Sequence, residues 1–342
     1  RSMIGVLLLK SLIDYMTRKK ITRAIKIIFN FPFYVKKAYK LICRTDESLN
    51  YSKGNFENKI IINKAIIVHV SGGLANQMIC YKAGRYLSAI KKVPLILDAT
   101  FYKETEEGKT NRNFQLIKFP IKYDLLIYDL SILIAIKKDN LIHKLNTKSL
   151  KDCNEIIAKI PKEFIDFDLI ELNIWSSLAI RKLADKFAKE NVILKEFKLI
   201  PEIDLDSQNK DIYKIIKSKR NPVAVHIRRG DFIQNEGGQA VVSTFFISAI
   251  NKMKTLCQDP FFFIFSDDIK WCKTNLTSAN LLFVDINDER SGYKDLFLAA
   301  QCKHFILTEA STFGHQILEL NNKENRIVIK SNEQDKLRNQ NS

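Results

Sequence analysis

An α/β fold built on parallel sheet is predicted by three observations. From Pro222 onward, short apolar runs at residues 223–227, 261–265, 281–285, 305–308 and 327–329 alternate with helix-spaced segments near 243–257, 267–276, 293–302 and 313–320. Those runs are apolar at almost every position, which suits strands covered on both faces and therefore paired in parallel. Near the other end, an apolar run at 65–70 is followed by Ser71-Gly72-Gly73, helical spacing over 76–90, and a second strand over 95–98 after the break at Pro94. That is a β-α-β unit. The alternation is doubly wound α/β, an architecture whose ligands sit beyond the carboxyl ends of the strands.

The middle of the chain reads more coarsely, with apolar clusters at 125–136 and 164–174 and a helix-like stretch at 176–191. A boundary falls in the polar segment 201–218. The expected organisation is a basic, partly amphipathic arm over 1–58, a first domain over 59–215 and a second over 216–342. A length of 342 residues suits two domains.

The composition is 46% hydrophobic and 27% charged, with 22 Phe and only 7 Pro, which excludes a disordered or collagen-like chain. Residues 1–45 carry a net charge of about +10 out of the chain's +17, so the basic excess belongs mostly to the arm. Apolar residues interleave those charges, a pattern suited either to an anionic membrane surface or to packing on the body with solvated lysines. Neither a nucleic-acid-binding module nor an apolar stretch long enough to span a bilayer is legible, so no nucleic-acid partner is expected. The six cysteines are scattered, without a C-x-x-C pair, and read as reduced thiols of a cytoplasmic protein.

Four strand ends supply the candidate site. In His226-Ile227-Arg228-Arg229-Gly230-Asp231, residues two apart share a face of the strand, so His226 and Arg228 project together. Adjacent arginines at a sheet mouth suit a phosphate, whose oxygens match the guanidinium fork, although a surface Arg-Asp pair would look similar. Gly72 and Gly73 ahead of Asn76 either admit a ligand to the helix start or serve turn geometry alone. Ser311 and Thr312 stand at another helix start, where hydroxyls bind phosphate or simply cap. Asp267 and Asp268 read as an N-cap or, less readily, as a metal site.

Taken together, Gly72-Gly73-Leu74-Ala75-Asn76-Gln77-Met78, the His-x-Arg-Arg-Gly-Asp hexad, Phe265-Ser266-Asp267-Asp268, and Asp295 leading through Cys302 to Ser311 resemble the bacterial α-1,2-fucosyltransferases of glycosyltransferase family 11. The resemblance spans residues 65 to 330. It implies a GT-B fold of two Rossmann-like domains facing across a cleft, and an inverting reaction without metal or other cofactor. The implied donor is GDP-L-fucose and the implied acceptor a lipid-linked, galactose-containing glycan of surface polysaccharide or O-antigen synthesis. It further implies a cytoplasmic enzyme, peripheral on the inner membrane face.

By the same resemblance, Arg228 holds the β-phosphate with His226 beside it and Arg229 secondary, and Asp268 joins the donor contacts. Asp295 accepts from guanine, Ser311 and Thr312 meet the pyrophosphate, and Gly73 and Asn76 face the diphosphate and sugar. The acceptor base is Asp231 or Glu236. Ala75 and Glu309-Ala310-Ser311-Thr312-Phe313-Gly314-His315 depart from the family pattern, so another GDP-deoxysugar such as GDP-colitose stays open as donor. An inactive, membrane-docked scaffold of a glycan assembly complex is the non-enzyme alternative.

Overall fold

The computed structural model describes residues 64–335 apart from 103–111, 139, 146–149, 151–152, 174–177, 190–192, 235–239, 279 and 322. The basic arm and Glu236 therefore lie outside the described residues.

The chain divides into two compact units. One takes the chain up to Val70, Gly84–Glu107 and Tyr123–Lys182, and the other takes Ser71–Ala83, Gly108–Lys122 and Leu183–Ser342. The Gly-rich turn thus clusters with the unit that carries the His-x-Arg strand.

In the first unit, β1 (Ala65–His69) leads into α1 (Leu74–Lys91), which belongs to this unit from Gly84 onward, then β2 (Leu95–Asp98), β3 (Leu125–Ile127), α2 (Leu130–Lys138), β4 (Ile142–Leu145), α3 (Cys153–Asp166) and β5 (Leu169–Asn173). The strands pair in parallel in the order β3-β2-β1-β5-β4. Ala65, Ile67, Ile96, Ile127, Leu133, Ile136 and Leu169 form a core against one face. The apolar cluster at 125–136 is thus two elements, a short strand and the helix that packs on it. Gly84 is where α1 crosses β1, since a Cβ there would lie 2.3 Å from Val68 Cγ2.

The second unit continues from Leu183 within α4 (Leu178–Lys189) through α5 (Ile193–Glu196), α6 (Pro201–Asp204) and α7 (Ser207–Ser218). Then come β6 (Asn221–Ile227), α8 (Gly230–Gln234), α9 (Ser243–Leu256), β7 (Pro260–Ser266), α10 (Ile269–Asn275) and β8 (Leu281–Phe283). It ends with α11 (Gly292–Ala300), β9 (His304–Leu307), α12 (Thr312–Leu320) and β10 (Val328–Lys330). All strands are parallel in the order β10-β9-β6-β7-β8. Every residue of β6 is buried, as the unbroken apolar run requires of a central strand. The expected α/β class with parallel sheets is the observed one.

In this order the chain runs outward from β6 to β8, then returns to the other side of β6 with β9. The switch point therefore lies between β6 and β9, at Arg228 and Thr308. Among the described residues, five cysteines are unpaired thiols.

Candidate functional site

Thr308, just past β9, ties the two strand ends together. Its N–H and its hydroxyl both donate to the His226 carbonyl (3.2 and 3.3 Å), and its Oγ1 accepts from Arg228 N–H (3.3 Å). The backbone that carries Arg228 is thus fixed from the neighbouring strand.

Arg228 is braced by two carboxylates. Its Nη2 lies 2.8 Å from Asp231 Oδ1 and its Nη1 2.8 Å from Asp267 Oδ2. Asp267 also accepts from Arg229 N–H at 2.8 Å. Gly230 lets Asp267 come this close, since a Cβ would stand 2.6 Å from Asp267 Oδ2 and the carboxylate would have to turn away. Arg229 turns the other way, its guanidinium 3.7 Å from the centre of the Trp271 ring and its Nε 3.3 Å from Asp268 Oδ2. Asp268 also caps α10 by accepting from Trp271 N–H (3.1 Å), the bland role that its position allowed.

His226 is buried, with its Nε2 2.9 Å from Ser311 Oγ and its ring against Phe313. Burial, aided by the Arg228 charge, pushes its pKa down to about 3, so the imidazole is neutral. Ser311 stands at the N-cap of α12 but makes no side-chain cap bond, because its hydroxyl is turned to His226. The start of α12, with Thr312 in its first turn, therefore presents backbone N–H groups and a positive dipole end beside Arg228's strand.

Asp295, in the first turn of α11, accepts from Asn287 Nδ2 at 2.6 Å. Asn287 exchanges two further amide bonds with Asn209 (2.9 and 2.8 Å), which is held in turn by Asp206, the N-cap of α7. Burial pushes the Asp295 carboxyl up to about 7.

The Gly-rich turn places Gly72 at φ 77°, a backbone state that glycine adopts without penalty. Gly73 O accepts from Asn76 N–H (2.9 Å) and Gln77 N–H (3.0 Å), opening α1, and both Gly73 and Asn76 keep part of their surface open. Asp231, the carboxylate of the hexad, is likewise part-exposed and engaged with Arg228.

Three features escaped the sequence reading. Arg112 pairs with Glu289 (2.6 Å) and stands 3.9 Å from Asp231. Lys82 is wholly buried on α1 and bonds Gln316 (2.8 Å) and Glu319 on α12. In the first unit, His69 at the end of β1 bonds Asp98 through Nδ1 and Glu171 through Nε2, and Lys137 pairs with Glu171. No local pattern marks any of these, because each partner lies 29 or more residues away in sequence. Among the described residues no group of three or more His, Cys, Asp or Glu side chains is arranged to hold a metal, and no helix is long and apolar enough to cross a membrane.

Two parallel α/β units, with arginines and a helix start without a side-chain cap at the switch point of the second, form a site suited to a phosphate-bearing ligand. Residues 202–342 match the model described as Glycosyl transferase family 11, a glycosyltransferase assignment that the relatives below share. The O-antigen biosynthesis glycosyltransferase WbnK of Escherichia coli is 26% identical over 284 residues, 76% of this chain and 91% of that protein. An alpha-1,2-colitosyltransferase of Escherichia coli is 27% identical over 72% of this chain and 84% of its own length. The galactoside alpha-(1,2)-fucosyltransferase 1 of Saimiri sciureus is 33% identical, over only 28% of this chain and 27% of that one. Among solved structures, a NodZ alpha-1,6-fucosyltransferase crystal soaked with GDP-fucose matches with a TM-score of 0.50 at 13% identity, over 81% of this chain and 97% of that one. At that identity the likeness concerns the fold.

Proposed function

We propose that this is an inverting, metal-independent GT-B enzyme that moves L-fucose from GDP-L-fucose to a galactoside hydroxyl, in α-1,2 linkage, during surface polysaccharide or O-antigen synthesis. The observation that carries the reading is Arg228, fixed at the β6–β9 switch point beside the N-terminus of α12. A leaving nucleoside diphosphate gathers negative charge as its bond to the sugar breaks, and a guanidinium fork with helix-end N–H groups answers that charge without a metal. Of the two carboxylates on Arg228, Asp231 is 42% exposed and able to turn to water when a phosphate takes its place, while Asp267 braces the guanidinium.

In the reaction, the acceptor oxygen bonds to the anomeric carbon while the bond from that carbon to the β-phosphate oxygen breaks. The acceptor's proton passes to Asp231 or Glu236, and the electron pair leaves with GDP. His226, neutral and occupied with Ser311, positions the phosphate-facing hydroxyl rather than moving a proton. Asp295, whose second oxygen is not taken by Asn287, is the acceptor for guanine N–H groups. The acceptor glycan is lipid-linked on this reading, with the basic arm holding the enzyme to the anionic inner face of the membrane.

Titration calorimetry with GDP and with UDP, each in EDTA, tests the donor assignment. Metal-independent binding of GDP at least tenfold tighter than UDP is expected, and binding of neither would leave the membrane-docked scaffold. The colitosyltransferase match, over far more of this chain than the fucosyltransferase 1 match, favours GDP-colitose as the second reading. Competition between the two GDP-sugars for turnover separates them.

A further inference from the structure

Arg112 belongs to none of the strand ends, yet its surroundings are built with care for its position. Buried Gln77 donates to the carbonyl of Asn113 (2.7 Å) and accepts from Gln115 N–H (2.8 Å). Gln115, also buried, donates to the Glu289 carbonyl (2.7 Å) and accepts from Tyr293 N–H (3.0 Å). Two buried side-chain amides therefore fix the backbone just after Arg112 to the Gly-rich turn on one side and to the start of α11 on the other. A solvated surface arginine gains nothing from such anchoring.

The guanidinium so placed closes a line of alternating charge. Asp267 and Asp231 each pair with Arg228 at 2.8 Å, Asp231 stands 3.9 Å from Arg112 Nη2, and Arg112 Nη1 pairs with Glu289 at 2.6 Å. One carboxylate is thus shared between two guanidinium groups. The two cations, with side chains 24% and 21% exposed, are more enclosed than Asp231 and Glu289 at 42% and 40%, while Asp267 is 25% exposed and also held by Arg229 N–H. Asp231 and Glu289 can swing into water, while the guanidinium groups and Asp267 stay. Gly73 lies beside it, its Cβ position 3.7 Å from Arg112 Nη1.

We propose that Arg112 is a second donor-binding residue, which with Arg228 holds the diphosphate of the nucleotide at the position that Asp231 fills until the nucleotide displaces it. The inference rests on the GDP-sugar reading above. A diphosphate presents two adjacent phosphate groups, and two planar forks that share one anion position match it better than one fork flanked by acids.

The test compares GDP with GMP, which lacks the β-phosphate, by titration calorimetry in EDTA. Wild-type protein should bind GDP more tightly than GMP. Arg112→Ala should weaken GDP at least tenfold while GMP changes less than twofold. Arg112→Lys, which keeps the charge, should still lose at least threefold on GDP, because one ammonium does not span two groups. Asp231→Asn should tighten GDP a few-fold by removing the competing anion. An equal loss for GDP and GMP in the Arg112 variants would make the residue a scaffold element and overturn the inference alone, as would unchanged GDP affinity. Wild-type protein that binds no guanine nucleotide would overturn the inference together with the GDP-sugar reading.

Discussion

His69 ends β1 and His226 stands one residue before the end of β6, each on the strand at the centre of its sheet. Burial lowers the pKa of both. Around His69, Asp98 and Glu171 outweigh burial and raise the imidazole to about 9, while His69 and Lys137 hold Glu171 down to about 2. Around His226 no carboxylate among the described residues intervenes, and the nearby Arg228 adds to burial instead. The same residue at matching places in two parallel sheets is thus an imidazolium in one and a neutral ring in the other. The first sheet's mouth pairs its imidazolium with two buried carboxylates, whereas the second keeps guanidinium groups for which Asp231 and Glu289, the more exposed of their carboxylate partners, can be displaced. Partners, rather than topology, decide which switch point can receive an anion.

The largest effect expected from that contrast is at Arg228. Arg228→Ala should lower turnover on the order of a hundredfold or more, and Arg228→Lys should fail as well, because an ammonium does not reproduce the fork. Initial-rate kinetics with GDP-fucose check both variants, and near-normal turnover in either would remove the second mouth as the donor site.

Next comes the pH dependence of the first mouth. A histidine raised from 6.5 to about 9 contributes stability that is fully present below pH 6.5 and is lost as pH rises through 9. Linkage puts the loss between pH 7 and pH 9 at about 2 kcal/mol. Denaturant melts across that range should show it in wild-type protein and lose it in His69→Gln, with GDP affinity at pH 7 changed less than twofold. An alkaline limb that persists in the variant would mean that His69 is not the charged centre of that cluster.

A tenfold effect is expected at Asp295. Its carboxyl, raised to about 7, accepts guanine N–H groups best when ionised, so GDP affinity should fall as pH drops from 8 to 6. Asp295→Asn should bind GDP about tenfold more weakly and without that slope, and a variant that keeps the slope would place guanine elsewhere. The smallest effect is at Ser311. Ser311→Ala strands the buried Nε2 of His226 and should cost about 1 kcal/mol in a urea melt. A negligible cost would mean that the neutral histidine has no need of its partner.

The second sheet was legible because each of its strands is a separate apolar run between turn residues. The strands expected at 223–227 and 261–265 are β6 and β7, and the helix expected at 243–257 is α9. The middle of the chain was not, for a physical reason. At 125–136 a strand and a helix adjoin with only two residues between them, and at 164–174 the end of α3 runs into β5. Periodicity is blurred where one apolar stretch serves two elements, separated only by Asp129 at the first join and by Asp166 and Asp168 at the second.

By itself the sequence determined which side chains stand at the strand ends of the second sheet, since strand geometry puts His226 and Arg228 on one face and helix starts at Ser311 and Asp268. It also determined the α/β class, because unbroken apolar strands must be covered on both faces. Only the tertiary structure decided what each group meets. It turned Arg229 onto Trp271, brought Arg112 to Asp231, buried Lys82 against Gln316, and gave His69 two carboxylates from two other strands. Charge state and ligand competence follow from those encounters. Interaction energies between charges depend on distance and burial in three dimensions, and neither is written in spacing along the chain.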